Sequence, residues 1–384
     1  MTRPPLSLYV HLPWCVRKCP YCDFNSHTAG ADAPRQRYLD ALLVDLEHEA
    51  VRAAGRLVET VFLGGGTPSL FAPQEIARLL RGVHALFQVA DAAEVTMEAN
   101  PGTVECASPA EYREAGVTRL SLGAQSLSNS ALARLGRIHS SEDVIRVAEA
   151  CRTAGFESFN IDLMHGLPGQ SVRQALDDVS AVIALEPPHI SWYQLTLEPN
   201  TVFFARPPKD LPADDTAYEI QEHGARLLAD AGYQQYEVSA FARDAKVCRH
   251  NINYWTFGDY LAAGAGAHGK LTTETGVHRY RKPANPQQYM LSMEAGEVGV
   301  PMTRVAGGEL LFEFMLNALR LNDGFDEALF MARTSLDAGY LEQAMRPARE
   351  EGLIARDADA RWRPTDLGRR FLNDLQASFL PDAA

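Results

Sequence analysis

Between residues 6 and 199 the chain repeats one unit six times: a short apolar run, a loop rich in glycine or polar groups, then a stretch of helical periodicity. The apolar runs are "LSLYVHL" (6–12), "VETVFL" (58–63), "AEVTMEANP" (93–101), "VTRLSLGAQS" (117–126), "ESFNIDLMHGLPGQ" (157–170) and "HISWYQLTLEP" (189–199). Helical spacing follows at 37–50, 73–87, 108–116, 128–135 with 141–154, and up to about 186. Strands separated by helices must run parallel, because the helix carries the chain back across the sheet. Two architectures accept that pattern, a doubly wound sheet and a TIM-like barrel. The chemically unusual residues decide between them. Three cysteines, a Gly-Gly-Gly, Glu98, Gln125 and Asp162 each stand at or just after a strand. In a barrel all strand ends meet on one face; in an open sheet only those at the switch point do. The expected fold is therefore α/β, a partial TIM-like (β/α)6 barrel.

After residue 200 the rhythm breaks. A Pro-rich loop leads to a helix near 214–231, then "YQQYEVSAF", expected as one strand, "CRHNINYW" and the Gly-rich "GDYLAAGAGAHG". Beyond 303 the chain reads as helices with a short β-wing, a small helical, winged-helix-like C-terminal domain. The expected division is 1–235 for the barrel, 236–302 for an extension carrying "HNINYW", and 303–384 for the helical domain. Residues 301–384 carry 10 Lys plus Arg against 14 Asp plus Glu, so the tail reads as a packing or docking module, not a DNA reader. The whole chain has a formal charge of −13, which argues against nucleic acid or an anionic membrane as partner. It shows no signal-peptide pattern and no run of about 18 apolar residues. The expectation is a cytoplasmic protein without an integral membrane segment.

Three of the six cysteines crowd into "HLPWCVRKCPYCDF" as C-x3-C-x2-C. Thiolates select zinc, copper(I) or iron–sulfur. Zinc takes paired C-x2-C knuckles, and here Cys106, Cys151 and Cys248 are isolated. A zinc loop completed by His11 or His27 stays open as an alternative. Three cysteines can instead hold a four-iron cluster with one iron free for a small molecule. The glycines of "GGGTP" (64–68) allow close backbone approach to a ligand. Glu98, Gln125, Arg137 and Asp162 are polar groups at or just beyond strand ends.

The C-x3-C-x2-C loop after the first strand, with Tyr21 before the last cysteine, resembles the radical S-adenosylmethionine (SAM) superfamily. The motifs "YVHLPWCVRKCPYCDF", "FLGGGTPSL", "EANPG", "LGAQS", "LGRIHS" and "NIDLMHGLPGQ" resemble its oxygen-independent coproporphyrinogen III oxidase-like group, over nearly the whole chain. The resemblance implies a [4Fe-4S] cluster on Cys15, Cys19 and Cys22. It implies SAM on the free iron, with Tyr9, Tyr21, Gly65, Gly66, Thr67, Glu98, Gln125, Arg137 and Asp162 around it. In that family an electron from the cluster cleaves the sulfonium and releases a 5′-deoxyadenosyl radical; whether this chain cleaves SAM, and so whether it is an enzyme, is left open.

Two departures separate it from the oxidase itself. The oxidase carries a fourth cysteine two residues after the third, where this chain has Phe24. The oxidase also has a long extension before its first strand, where this chain has eight residues before Tyr9. "HNINYW" (250–255) instead resembles the H-N-x-x-Y-W pattern of the group's heme-chaperone branch. That likeness implies heme as a third cofactor, His250 as its ligand, Tyr254 and Trp255 against the porphyrin face, and Cys248 as a weaker ligand candidate. His139, His165 and His268 read as ordinary loop histidines. The implied partners are heme, heme-recipient proteins (respiratory proteins being one candidate class) and an electron donor. The expected function is a radical-SAM-type heme chaperone. The alternatives are an oxygen-independent coproporphyrinogen III dehydrogenase and a non-catalytic zinc-binding interaction protein.

Overall fold

The computed structural model describes residues 3–30, 33–102, 107–297 and 299–381; Cys106 lies outside them. Six parallel strands form its centre: β1 (Leu6–Leu12), β2 (Leu57–Gly65), β3 (Gln88–Ala99), β4 (Arg119–Gln125), β5 (Ser158–His165) and β6 (His189–Gln194). They pair in chain order, each with the next. Helices α1 (Arg35–Ala53), α2 (Pro73–Leu86), α3 (Pro109–Glu114), α4 (Asn129–Arg134), α5 (Ser141–Thr153) and α6 (Val172–Ala184) supply the crossovers. The side-chain alternation of each strand sorts the two faces. Leu6, Leu8, Val10 and Leu12 of β1 are buried in the main core, while Ser7, Tyr9 and His11 stand on the opposite, polar face. Burying one such aliphatic side chain contributes about 1.5–3 kcal/mol. The outer face therefore holds the fold, and the inner face is free to carry chemistry. Helices α5 and α6 begin at Ser140 and Ser171, whose side chains accept from the backbone N–H three residues on.

The expected (β/α)6 half-closed barrel is present, but six more strands extend its sheet. On the β6 side lie β7 (Gln234–Glu237) and β8 (Ala240–Ala242), antiparallel to each other. "YQQYEVSAF" is thus two short strands, because the chain reverses at Val238–Ser239. On the β1 side, β9 (Asp259–Ala263) runs parallel to β1, and β10 (His268–Thr273), β11 (Gly276–Arg281) and β12 (Thr303–Val305) continue antiparallel. The sheet order is β12-β11-β10-β9-β1-β2-β3-β4-β5-β6-β8-β7, so the barrel stays open.

Buried charges lock residues 259–294 onto the barrel. Lys282, fully buried, lies between Asp45 and Glu49 of α1. Asp45 also accepts from Tyr289 Oη at 2.7 Å. Asp259 accepts from Lys270 Nζ at 3.1 Å and Arg56 Nη1 at 2.8 Å. After the β6 end come α7 (Val202–Ala205) and α8 (Asp214–Asp230), and after β8 a seven-residue helix, α9 (Arg249–Trp255). The C-terminal residues form a second core around Phe314, Phe325, Phe330, Met345 and Trp362. Its wing is the antiparallel pair Ile354–Arg356 and Trp362–Pro364.

Candidate functional site

The cysteine loop leaves β1 at Leu12 and is closed at its base by a two-residue ladder, Trp14–Cys15 against His27–Thr28. Between them the chain turns with Cys22 N–H on Cys19 C=O at 3.2 Å. Lys18 Nζ pins the far side by donating to Phe24 C=O (3.1 Å) and Ser26 C=O (3.3 Å). Asn25 Nδ2 donates to Ala265 and Ala284 C=O, both at 2.9 Å. The glycine segment at the end of β2 is stitched under the loop: Gly66 N–H donates to Leu12 C=O and Thr67 N–H to Trp14 C=O, both 2.8 Å. The glycines are required sterically. A Cβ on Gly66 would sit 2.6 Å from Trp14 C=O, and one on Gly65 (φ +119°) 2.6 Å from the His11 ring.

Cys15, Cys19 and Cys22 are free thiols, Cys15 buried and the others half-buried. Burial pushes the Cys15 thiol up to about 11 and raises Cys22. Thiolates in such a place need the compensating charge of a metal centre, which fits an iron–sulfur donor set. Arg137 Nη1 lies 3.6 Å from Cys19 Sγ, and its Nη2 donates to Asn100 Oδ1 (2.5 Å) and Gly123 C=O (2.7 Å).

Below the loop the barrel encloses a cavity of about 480 Å³. The three cysteines and Tyr21 stand at its mouth, and Gly66, Thr67, Glu98, Gln125, Arg137 and Asp162 on its walls. Tyr9 and Gly65 instead line a neighbouring space of about 440 Å³, with Glu98 between the two. Glu98 Oε2 accepts from Gly65 N–H at 3.0 Å. Burial, and then the charge of Asp162, push its carboxyl up to about 7. Asp162 is raised by burial too, against hydrogen bonds from Asn160 Nδ2 (2.7 Å) and Ser121 Oγ (3.2 Å). Gln125 sits at φ +70°, just past a register irregularity in β4.

His250 is not among these groups. It lies on α9, which seats against β1, β2 and β9, and is only 2% exposed. The cap of that helix is Glu94, which accepts from the N–H of Arg249 (3.1 Å) and His250 (3.0 Å). His250 Nδ1 pairs with Thr60 Oγ1 at 2.8 Å, and its Nε2 has no partner among the described residues. Burial holds the imidazole down at about 3, so it is neutral. The rings expected to face a porphyrin are engaged: Tyr254 stacks on Tyr260 (4.1 Å), and Arg320 lies over Trp255 (4.3 Å). Cys248 is 1% exposed, with Sγ 3.7 Å from Glu94. A heme iron reaches His250 only if α9 leaves its seat.

His139 donates to Ala124 C=O at 3.0 Å and His165 packs on Trp192 at 4.4 Å, while His268 lines the second space. Asn100, Arg119 and Asn251 also line the first cavity and were not expected from sequence. The available signals were the motifs "EANPG" and "HNINYW", which contain Asn100 and Asn251, and an arginine inside the apolar run "VTRLSLGAQS".

Two family models match: the radical SAM superfamily over residues 9–180 and the HemN C-terminal domain over residues 307–371. The chain is 47% identical over 380 residues to "Heme chaperone HemW" of Escherichia coli (strain K12), covering 99% of each. It is 31% identical over 383 residues to "Heme chaperone HemW" of Bacillus subtilis (strain 168), covering 97% of this chain and 99% of that one. Its fold matches the solved coproporphyrinogen III oxidase (HemN) of Escherichia coli with a TM-score of 0.83 at 24% identity, over 98% of this chain and 90% of that one. The chain therefore belongs to the radical SAM superfamily and, within it, to the HemW family. A [4Fe-4S] cluster and SAM are the cofactors of that superfamily, and the zinc-protein reading falls. His11 and His27, its candidate fourth ligands, are both turned to Asn25, at 2.9 Å and 3.3 Å.

Proposed function

We propose that this member of the HemW family is a heme chaperone, which binds heme and passes it to recipient proteins in the cytoplasm. The observation that carries the reading is the likeness to heme chaperones at 47% identity along the whole chain. Phe24 supports it: the residue where the oxidase has a cysteine is an exposed phenyl ring here, 58% accessible at the edge of both cavities. In this reading Cys15, Cys19 and Cys22 hold the [4Fe-4S] cluster. Tyr21, Gly66, Thr67, Gln125, Arg137 and Asp162 surround SAM, with Tyr9, Gly65 and Glu98 on the wall toward the second space. A cluster held there would supply one-electron chemistry to SAM. Arg137 positions an anionic group beside Cys19, and Glu98 receives hydrogen bonds in its ionised form. The unpartnered Nε2 and neutral state of His250 support it as the iron ligand once α9 is displaced.

The test is heme titration of cluster-reconstituted protein, followed by transfer to an apo heme protein. A saturable Soret band, and its movement to the acceptor, is the expected result. His250→Ala is expected to shift the band and weaken binding at least tenfold; an unchanged spectrum and affinity refute that ligand. Conversion of coproporphyrinogen III to protoporphyrinogen with SAM and a low-potential reductant, without heme binding, overturns the chaperone reading.

A further inference from the structure

The floor of the first cavity is chemically unlike its walls. Arg119, the first residue of β4, faces the barrel interior, is 3% exposed and lines the cavity. Its cross-strand neighbours are Thr96 of β3 and Ser158 of β5. Directly paired residues point to the same face, so the three side chains form one row across the barrel floor. Arg119 Nε, Thr96 Oγ1 and Ser158 Oγ are all buried, and none has a hydrogen-bond partner among the described residues. Three consecutive members of one row thus present unused donors around a guanidinium that is always charged. Glu94 and Asp162 lie near enough to favour the charge, but Nε of this buried cation has no hydrogen-bond acceptor among the described residues, which is costly in a low-dielectric interior.

The nearby carboxylates do not fill the role. Glu94 caps α9 through the N–H groups of Arg249 and His250. Asp162 is held by Asn160 and Ser121. Burial raises the carboxyl of Glu98 to about 7 and raises that of Asp162, so both hold a proton more readily than an exposed acid. The floor is therefore less negative than its formal count of acids, and an anion can approach Arg119.

We propose that the barrel floor is a carboxylate-binding site, in which Arg119 takes both oxygens side by side and the Thr96 and Ser158 hydroxyls donate at the flanks. Paired N–H···O bonds to a carboxylate are the geometry a guanidinium matches best. The carboxylate has two sources with the same chemistry: a small free anion such as formate or bicarbonate, or a propionate arm of the tetrapyrrole, and only the second rests on the function proposed above.

Formate and bicarbonate are titrated into cluster-reconstituted protein at constant ionic strength, with chloride as baseline, following the unfolding temperature. Heme and heme dimethyl ester are titrated in parallel. Arg119→Gln is checked by circular dichroism and iron content, and Ser158→Ala serves as a milder variant should the first not fold. The free-anion source gives a saturable rise in unfolding temperature in the wild type, lost in Arg119→Gln and weakened severalfold in Ser158→Ala. The propionate source gives at least tenfold weaker heme binding in Arg119→Gln, with the ester bound equally by both proteins. Wild type and variants that respond alike to the small anions, and bind heme and ester in the same ratio, overturn the proposal. A wild type that binds no heme refutes the chaperone reading and leaves the small-anion arm to decide this one.

Discussion

Replacing Glu98 by glutamine tests the electrostatics of the cavity wall. The Glu98 carboxyl is held near 7 against an ordinary value of 4.5, chiefly by burial. At 1.36 kcal/mol per pH unit this corresponds to about 3 kcal/mol, and water entering the half-buried site reduces it to about 2 kcal/mol. The folded chain holds this proton more tightly than the unfolded chain. Stability from this group is therefore full below pH 4.5, declines between 4.5 and 7, and is absent above 7. Glutamine stays neutral throughout. Unfolding temperatures of SAM-free wild type and Glu98→Gln are compared from pH 4.5 to 8.5. They should coincide at the acid end and separate progressively, with the variant several degrees more stable at pH 8. SAM affinity provides the opposite readout: the ionised fraction of a group titrating near 7 rises about tenfold between pH 6 and 8. Wild-type affinity should follow it, and the variant should bind weakly at every pH. A constant gap in unfolding temperature across the range refutes the burial argument.

A methyl group on Gly66 has nowhere to go, since its neighbours at 2.6–2.8 Å are backbone atoms of Pro13 and Trp14; Gly66→Ala should hold less than half the wild-type iron and sulfide after reconstitution, and full loading refutes the steric reading. Lys282→Met leaves buried Asp45 without a cation and Glu49 with Arg52 alone, at 2.8 Å, and should cost about 3–5 kcal/mol, measured by urea unfolding. The triple variant Asp45→Asn, Glu49→Gln, Lys282→Met should recover most of it, and a single variant within 1 kcal/mol of wild type refutes a structural role for the pair.

The barrel was legible in the sequence because its signals are local. Six alternations of apolar strand and amphipathic helix each fit within a single stretch of fewer than 50 residues, and "GGGTP", Glu98, Gln125 and Asp162 mark the strand ends. What escaped depends on contacts between distant segments. Nothing near Asp259 or Lys282 announces that they are buried, because their partners Arg56, Asp45 and Glu49 lie more than 200 residues earlier. "HNINYW" reads equally as a polar turn or a heme motif. Only the packing shows a helix whose histidine points inward and whose Tyr254 already stacks on Tyr260. Arg119 carries no local signal of its role, since its environment is made by the neighbouring strands, not by its own.

The two hydrogen bonds from Asn25 to Ala265 and Ala284 have a consequence in time. They join the cysteine loop to carbonyls 240 and 259 residues further along the chain. At a synthesis rate of about 5–20 residues per second, the later one emerges roughly 10–50 s after Asn25. Until then the loop lacks the two clamps on its far side, although its base is already closed by the ladder of Trp14–Cys15 with His27–Thr28. The barrel strands can assemble first, and the loop that carries the thiols gains its last two clamps only when residues 265–284 have left the ribosome.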